Sequence, residues 1–438
     1  MTASARNTVA VVGAGAVGLC VAEALSARGA NVVVVEAGHV GAGASAGNAG
    51  WLTPSLAIPV PAPGVVAASL RWLGSASSPL WIRPTLEPAM LGWILRFLPA
   101  CRRDVYARGL ASLQMLASAA GPAFDRLAGR GVKFERHDEP LLYPAFSARE
   151  LAALRRTASQ LRAAGAAQPM RHVSSAQLRE LEPALSGEVV GGMLASGEGR
   201  VRPEGLTAAL HRLLLRRGVA VHEFLPVTEL VRDGAPWRLL TAAGELRAES
   251  VVLANGVGAV RLLRGHGIHL PVVNAKGYSR TFPGGGDNDG SPRRALYLEG
   301  PRVAISPFAG AVRVSGTLEL GARRLHLSAT RLRAITDAAR RALPDWAMPN
   351  AATDWAGMRT LSPDGLPYIG PVPGAPGVHV ATAHATLGIT LAPLTGELLA
   401  ELLLDGRDSP ARRAVDPARA ARRARLPDSR ALRSAARR

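Results

Sequence analysis

A chain of 438 residues with 48% hydrophobic content can bury large cores, which points to two domains. Two cysteines, Cys20 and Cys101, offer no disulfide framework and point to a reducing compartment, and no apolar run reaches the roughly 20 residues that a membrane-spanning helix needs. The formal charge of +19 is almost entirely arginine, since Lys133 and Lys276 are the only lysines; with heavy Ala, Gly and Pro usage this reads as compositional bias before it reads as a nucleic-acid partner.

Val9 to Val12 is an apolar run expected as a buried strand, and Gly13-Ala14-Gly15-Ala16-Val17-Gly18 follows at once. Helical character then runs from Leu19 to Arg28, and a β-branched run from Asn31 to Val35 ends in Glu36 and Ala37. Strand, GxGxxG, helix, strand and terminal acid form the dinucleotide-binding fingerprint in its full context. Gly13 permits the tight turn, Gly15 lets a pyrophosphate approach the backbone, and Gly18 lets the helix lie close to the strand. The helix N-terminus offers unpaired N–H groups to the diphosphate. Glu36 can accept hydrogen bonds from a ribose and disfavours a ribose phosphate, so FAD or NAD is expected and NADP is not. The first apolar run leads straight into the glycine motif, so no signal peptide is expected and the protein should reside in the cytoplasm.

A second glycine-rich segment, Gly41 to Gly50, ends in Trp51-Leu52-Thr53-Pro54. Small residues in such density let a backbone run flat against something large and planar. The fingerprint with Glu36, the loop Gly43-Ala44-Ser45 to Asn48-Ala49-Gly50, and Thr53-Pro54-Ser55 resemble the D-amino-acid dehydrogenase branch of the D-amino-acid oxidase and glycine oxidase superfamily. The resemblance extends to about residue 405 and implies non-covalently bound FAD. His39, near this loop, is not placed well enough by sequence to argue for covalent attachment.

Residues 56 to 185 are mostly helical in pattern, over Leu86 to Cys101, Leu110 to Leu127 and Ser147 to Ala164. Pro88 to Ala100 is apolar on nearly every side, which implies either core packing or a greasy contact with a membrane or subunit. A helix is expected over Pro203 to Arg217, then short strands at Ala220 to Phe224 and Val227 to Val231, a hairpin near Gly244, and a strand Ser250 to Leu253 leading into Ala254-Asn255-Gly256. The resemblance implies that the backbone of Val227 meets the adenine and that Ala254 and Gly256 pass near the cofactor. Strands follow at Leu270 to Val273, Gly277 to Phe282, Leu296 to Leu298, Val303 to Pro307 and Val312 to Thr317, then a helix at Ala329 to Leu343. Lys276 and Tyr278, in a tetrad similar to the dehydrogenase branch, are candidate pocket residues or ordinary strand positions.

The closing element runs from Trp355-Ala356-Gly357-Met358-Arg359 through Ser362-Pro363-Asp364-Gly365 to Tyr368-Ile369-Gly370, then a strand Val378 to Ala381, His384 to Ile389, and a helix Leu391 to Leu404. It resembles the superfamily's C-terminal signature. Thr360 stands where relatives commonly carry proline, and Ala383 where many carry glycine. The implied fold class is α/β with an α+β part: a Rossmann-like FAD-binding domain (1–55, 186–264, 355–405), a mixed-sheet substrate domain (56–185, 265–354), and a basic tail (406–438) expected to be disordered. That tail holds eleven arginines against three aspartates from Arg407 onward.

Oxidising an amino acid requires its carboxylate to be held so that the Cα hydrogen points at flavin N5. A guanidinium does this best, and Arg359 is the candidate by position. With the amine neutral, no strong side-chain base is required. Taking up hydride leaves negative charge on the flavin, which the helix N-terminus after Gly388, Ile389 and Thr390 is expected to stabilise. His384 is a further candidate near the ring or a packed residue.

The expected function is FAD-dependent dehydrogenation of a D-amino acid or a D-imino acid such as D-hydroxyproline, in amino acid catabolism, with electrons passed to a quinone or carrier protein and possible peripheral association with the inner face of a membrane. A glycine- or sarcosine-type oxidase is the alternative enzyme, NAD-dependent chemistry a weaker one, and an RNA-associated flavoprotein the alternative of another class. No metal and no nucleic acid are expected.

Overall fold

The structure is a computed structural model describing residues 8–67, 80–82, 87–167, 170–232, 234, 236–285 and 289–422. Its first sheet has the strand order Ala220–His222, Asn31–Val35, Thr8–Val12, Ser250–Leu253, Val378–Thr382, Tyr368–Pro371, and all are parallel except the last. The strand ending at Glu36 lies beside the first, in register from Thr8 with Asn31 to Val12 with Val35. Period-2 alternation serves both faces. Val9 and Val11 join the core under the helices Ala16–Ser26, Pro203–Arg216 and Ala392–Asp405, whereas Ala10 and Val12 join the core under Val257–Arg264 and the meander Val227–Val231, Trp237–Thr241, Gly244–Ala248. The helix Ala392–Asp405 crosses Ala16–Ser26 closely because Gly396 lies against the Cys20 carbonyl, where a Cβ would collide.

The second sheet runs Thr353–Leu361, Val273–Pro283, Ala311–Leu320, Val303–Phe308, Leu296–Leu298, Leu141–Ala145, Gly191–Ala195, Arg171–Val173. Two of these strands, Gly191–Ala195 and Thr353–Leu361, fall in or across segments that the sequence assigns to the cofactor side, yet they hydrogen-bond into this sheet. Pairing with a distant strand decides sheet membership, and local pattern does not carry that information. The segment Leu270 to Val273, expected as a strand, enters one only at Val273.

The helix Pro88–Ala100 divides its apolar surface. Met90, Trp93 and Ala100 are buried, and Trp93 donates from Nε1 to the Leu361 carbonyl at 3.1 Å, while Leu91, Leu95 and Leu98 are exposed. The expected disordered tail is ordered as far as it is described. Pro410–Ala414 and Ala418–Arg422 are helices, Arg412 is buried between Asp408 and Asp416, and Arg419 pairs with Asp364 at 3.0 Å while lying 4.1 Å over the Tyr368 ring. Local arginine–aspartate pairs and one aromatic face hold it. Residues 423–438 lie outside the described residues. Among the described residues no helix is long and apolar enough to cross a membrane.

Candidate active site

The fingerprint turn is shaped by its glycines. Gly13 has φ +105°, and a Cβ there would meet the Ala254–Asn255 backbone at 2.8 Å; a Cβ on Gly18 would collide with the Gly13 carbonyl. Helix Ala16–Ser26 starts with Gly15 as N-cap, with no cap from that residue and no acid in its first turn, so no carboxylate of its own competes with an anion at this end. Ser45, from the second glycine-rich loop, accepts the Ala16 N–H at 3.0 Å. Glu36 accepts the Ala14 N–H at 2.7 Å and the Gly38 N–H at 3.0 Å, so it braces the turn and keeps lone pairs for a ribose. Ala37 and Ala44 are exposed beside this end, as is His39, whose ring meets Phe224 edge-on at 4.3 Å. Val227 is buried just beyond Leu225, which donates its N–H to the Glu36 carbonyl at 2.8 Å.

From Gly47 the loop crosses the second sheet, touching one strand after another. Gly47 lies against the Trp355 ring, the Asn48 carbonyl accepts from Arg313 Nη1 at 2.8 Å, and the Ala49 carbonyl accepts from Ser306 Oγ at 2.8 Å. Asn48 Oδ1 takes the Gly50 N–H at 2.8 Å, Trp51 packs edge-on to Tyr297 at 5.9 Å, and Ser55 bonds Tyr143. Gly50, at φ +77°, leaves no room for a Cβ beside the Val201 carbonyl. The far end is fastened by Glu198, which accepts the Ser55 N–H at 2.7 Å and the Tyr143 hydroxyl at 3.3 Å. Among the described residues no cation pairs with Glu198, and burial pushes its carboxyl up to about 7.

Strand register sorts the candidate catalytic residues onto two faces. Ala275 opposes Arg359, Gly277 opposes Gly357 and Ser279 opposes Trp355, so these six share the face crossed by the glycine-rich loop. The Arg359 guanidinium lies flat over Gly277, where a Cβ would come within 2.7 Å of Nη2. It is partly buried and, among the described residues, has no carboxylate or hydrogen-bond acceptor; desolvation lowers its pKa from the ordinary value. Ser279 Oγ and Trp51 Nε1, on the same side, are buried without partners.

Lys276 and Tyr278, candidates as pocket residues or as ordinary strand positions, point the other way from Arg359. Adjacent strand positions alternate faces, and behind the sheet Glu319 takes Lys276 Nζ at 2.9 Å, the Tyr278 hydroxyl at 3.0 Å and Arg331 Nε at 3.4 Å. This is an internal hydrogen-bonded ion cluster. His384 is likewise packed: its ring nitrogen meets Thr395 Oγ1 at 3.1 Å, and burial pulls its pKa down to about 4, keeping it neutral.

Thr360, the position where proline is common, ties the sheets together. Its hydroxyl accepts the Ala383 N–H at 3.0 Å and lies 3.4 Å from that of Thr382, which donates to the Gly256 carbonyl at 3.1 Å. Ala383 and Ala385, either side of His384, sit at φ +61° and +52°. Gly388 and Ile389 lead to Thr390, whose hydroxyl donates to the Trp51 carbonyl at 2.8 Å, so the uncapped start of helix Ala392–Asp405 is held at the loop. Sequence reasoning missed Trp355, Ser279 and Glu198 as site residues; the first stands in the C-terminal signature and shares a strand face with Arg359 by even spacing, Ser279 closes the tetrad that begins at Lys276, and Glu198 carries no sequence signal.

A parallel sheet with a glycine fingerprint at its strand ends, coupled by one loop to a mixed sheet, defines a dinucleotide-binding oxidoreductase. The chain belongs to the DAO family of FAD dependent oxidoreductases, which matches residues 8–402, and FAD is its cofactor. It is 33% identical to D-amino acid dehydrogenase 2 of Pseudomonas aeruginosa, over 92% of this chain and 95% of that protein. It is 32% identical to D-amino acid dehydrogenase of Paramagnetospirillum magneticum, over 92% and 96%. Among solved structures, glycine oxidase from Geobacillus kaustophilus superposes with a TM-score of 0.70 at 26% identity, covering 92% of this chain and 95% of that one.

Proposed function

We propose that the protein dehydrogenates D-amino acids or D-imino acids, with Arg359 as the clamp for the substrate carboxylate. The observation that carries this reading is the partly buried guanidinium of Arg359, lying over Gly277 with no anion beside it among the described residues. A desolvated, unpaired charge is costly, and a carboxylate ligand in a bidentate pair removes that cost. The resemblance to relatives named for D-amino acids supplies the substrate class.

FAD, when bound, accepts the hydride released from Cα. The chain's residues would bind and orient it: the N-terminus of Ala16–Ser26 with Ser45 would hold the diphosphate, Glu36 the ribose, and the loop Asn48–Gly50 would face the ring system. Asn255 Oδ1, buried without a partner next to Gly13, is a further polar atom available to the cofactor. An amine that arrives neutral needs no side-chain base.

The same reading divides the chain into a discontinuous cofactor domain and a substrate domain, with Gly191–Ala195 and Thr353–Leu361 assigned to the latter. Electrons pass to a quinone or carrier protein, and the exposed Leu91, Leu95 and Leu98 support a peripheral contact with a lipid surface.

Arg359→Leu tests the clamp. Flavin content should stay near wild type while kcat/KM falls about 30-fold to several thousand-fold, on the order of 2 to 5 kcal/mol for losing one partner of a buried charge pair. The preference for an amino acid over its carboxyl-lacking amine should largely vanish. A variant that discriminates by the wild-type factor would place the carboxylate elsewhere.

A further inference from the structure

Arg359 and Trp355 lie four residues apart on one strand and one face, and each has a glycine to lie on. The guanidinium covers Gly277 and the six-membered ring of the indole covers Gly357, where a Cβ would collide with it. Gly277 and Gly357 are cross-strand partners, so their Cα atoms are about 4.5–5.5 Å apart. The indole edge and the guanidinium are therefore neighbours on the sheet surface. The opposite edge of the same indole is met by Gly47 of the crossing loop, where a Cβ would also collide. Held between Gly357 and Gly47, the ring has little room to withdraw.

We propose that Trp355 determines substrate specificity: its indole is the wall against which the substituent on the substrate's Cα packs, so that compact aliphatic side chains are admitted and bulky ones are refused. This rests on Arg359 as the carboxylate clamp. A carboxylate on that guanidinium has the sheet beneath it. The end of the face at Ala275 is closed by the helix Pro88–Ala100, whose Met90 and Trp93 pack on Ala275 and Val273. The open direction along the glycine pair is toward Gly357, and the indole covers it. Ser279, opposite Trp355 in register, is fully buried with its hydroxyl unpartnered, an arrangement that costs free energy unless a ligand atom meets it.

The test uses FAD-loaded enzyme and three non-reacting carboxylates, acetate, butanoate and cyclohexanecarboxylate, titrated by the change each causes in the visible spectrum of the bound flavin. Wild type should favour butanoate over cyclohexanecarboxylate. Trp355→Ala should shift that ratio toward the bulky ligand by about tenfold or more, as pockets do when a wall is removed, with acetate affinity changed by no more than about threefold. Trp355→Phe, which keeps a ring over Gly357, should shift the ratio by about threefold and carries the test if the alanine variant loses flavin. Turnover of D-amino acids of increasing side-chain size should follow the same order in kcat/KM. An unchanged ratio in both variants, with flavin content intact, overturns the role of Trp355. Arg359→Leu distinguishes this from failure of the clamp: it should abolish binding of all three carboxylates, and unchanged acetate binding there would sink the clamp, whatever Trp355 does.

Discussion

Lys276 and Arg359, one residue pair apart on adjacent strands of the second sheet, are cations on opposite faces in opposite states. Behind it, Lys276 and Arg331 both reach the Glu319 carboxylate, which also accepts the Tyr278 hydroxyl, so each of these cations meets an anion within the chain. In front, one residue pair further along the same strands, Arg359 is partly buried and, among the described residues, meets no counter-charge. The contrast teaches where to look for a ligand. A compensated cluster is part of the fold, whereas a desolvated cation without an anion marks a position that the chain leaves for something else to neutralise.

The comparison is broken most directly by exchanging the two cations' fates. Glu319→Leu removes the carboxylate that Lys276 and the Tyr278 hydroxyl share and should cost about 3–5 kcal/mol in chemical denaturation, while Arg359→Leu should cost less than about 1 kcal/mol or stabilise. Equal losses at both sites would show that Arg359 is also structural.

Glu198 sharpens it from the acid side, since it too is buried on the front and meets no opposite charge among the described residues. Its carboxyl is raised from 4.5 to about 7, so the folded protein keeps a proton that the unfolded chain releases. Its contribution is full below pH 4.5 and is lost as pH rises to about 7, by up to about 3 kcal/mol. Glu198→Gln mimics the protonated form and should gain in Tm over wild type progressively across that window. A parallel offset from pH 4.5 to 7 would mean that the carboxyl is already ionised.

The smallest effect separates strain from chemistry. Ala383 at φ +61° adjoins the packed His384, and Ala383→Gly should stabilise by about 0.5–1 kcal/mol with the affinity for acetate unchanged. Loss of acetate binding would tie this turn to the ligand.

Local chemistry made much of this legible. The glycine spacing and Glu36 announce the turn that the structure builds, because a left-handed φ at Gly13 and close approach at Gly18 are demands on individual residues. Helical periodicity also set the ends of Ala148–Ala163, Pro203–Arg216 and Ala329–Ala342 to within a residue or so. Motif position singled out Arg359, and its rank as a candidate did not depend on knowing its neighbours.

What stayed hidden depends on pairing between distant segments. Lys276, Tyr278 and Arg359 look alike in sequence, as polar residues near glycines. Only the register of Val273–Pro283 against Thr353–Leu361 reveals that two point behind the sheet and one in front, because a shift of one residue would reverse every side chain. The same register sets Trp355 beside the guanidinium through the Gly277–Gly357 pair. The Ser55–Tyr143–Glu198 cluster joins segments 88 and 55 residues apart. A sequence determines which residues are able to turn, cap or carry charge; which charges meet a partner is decided when non-local strands align, since burial and compensation exist only after the chain has closed on itself.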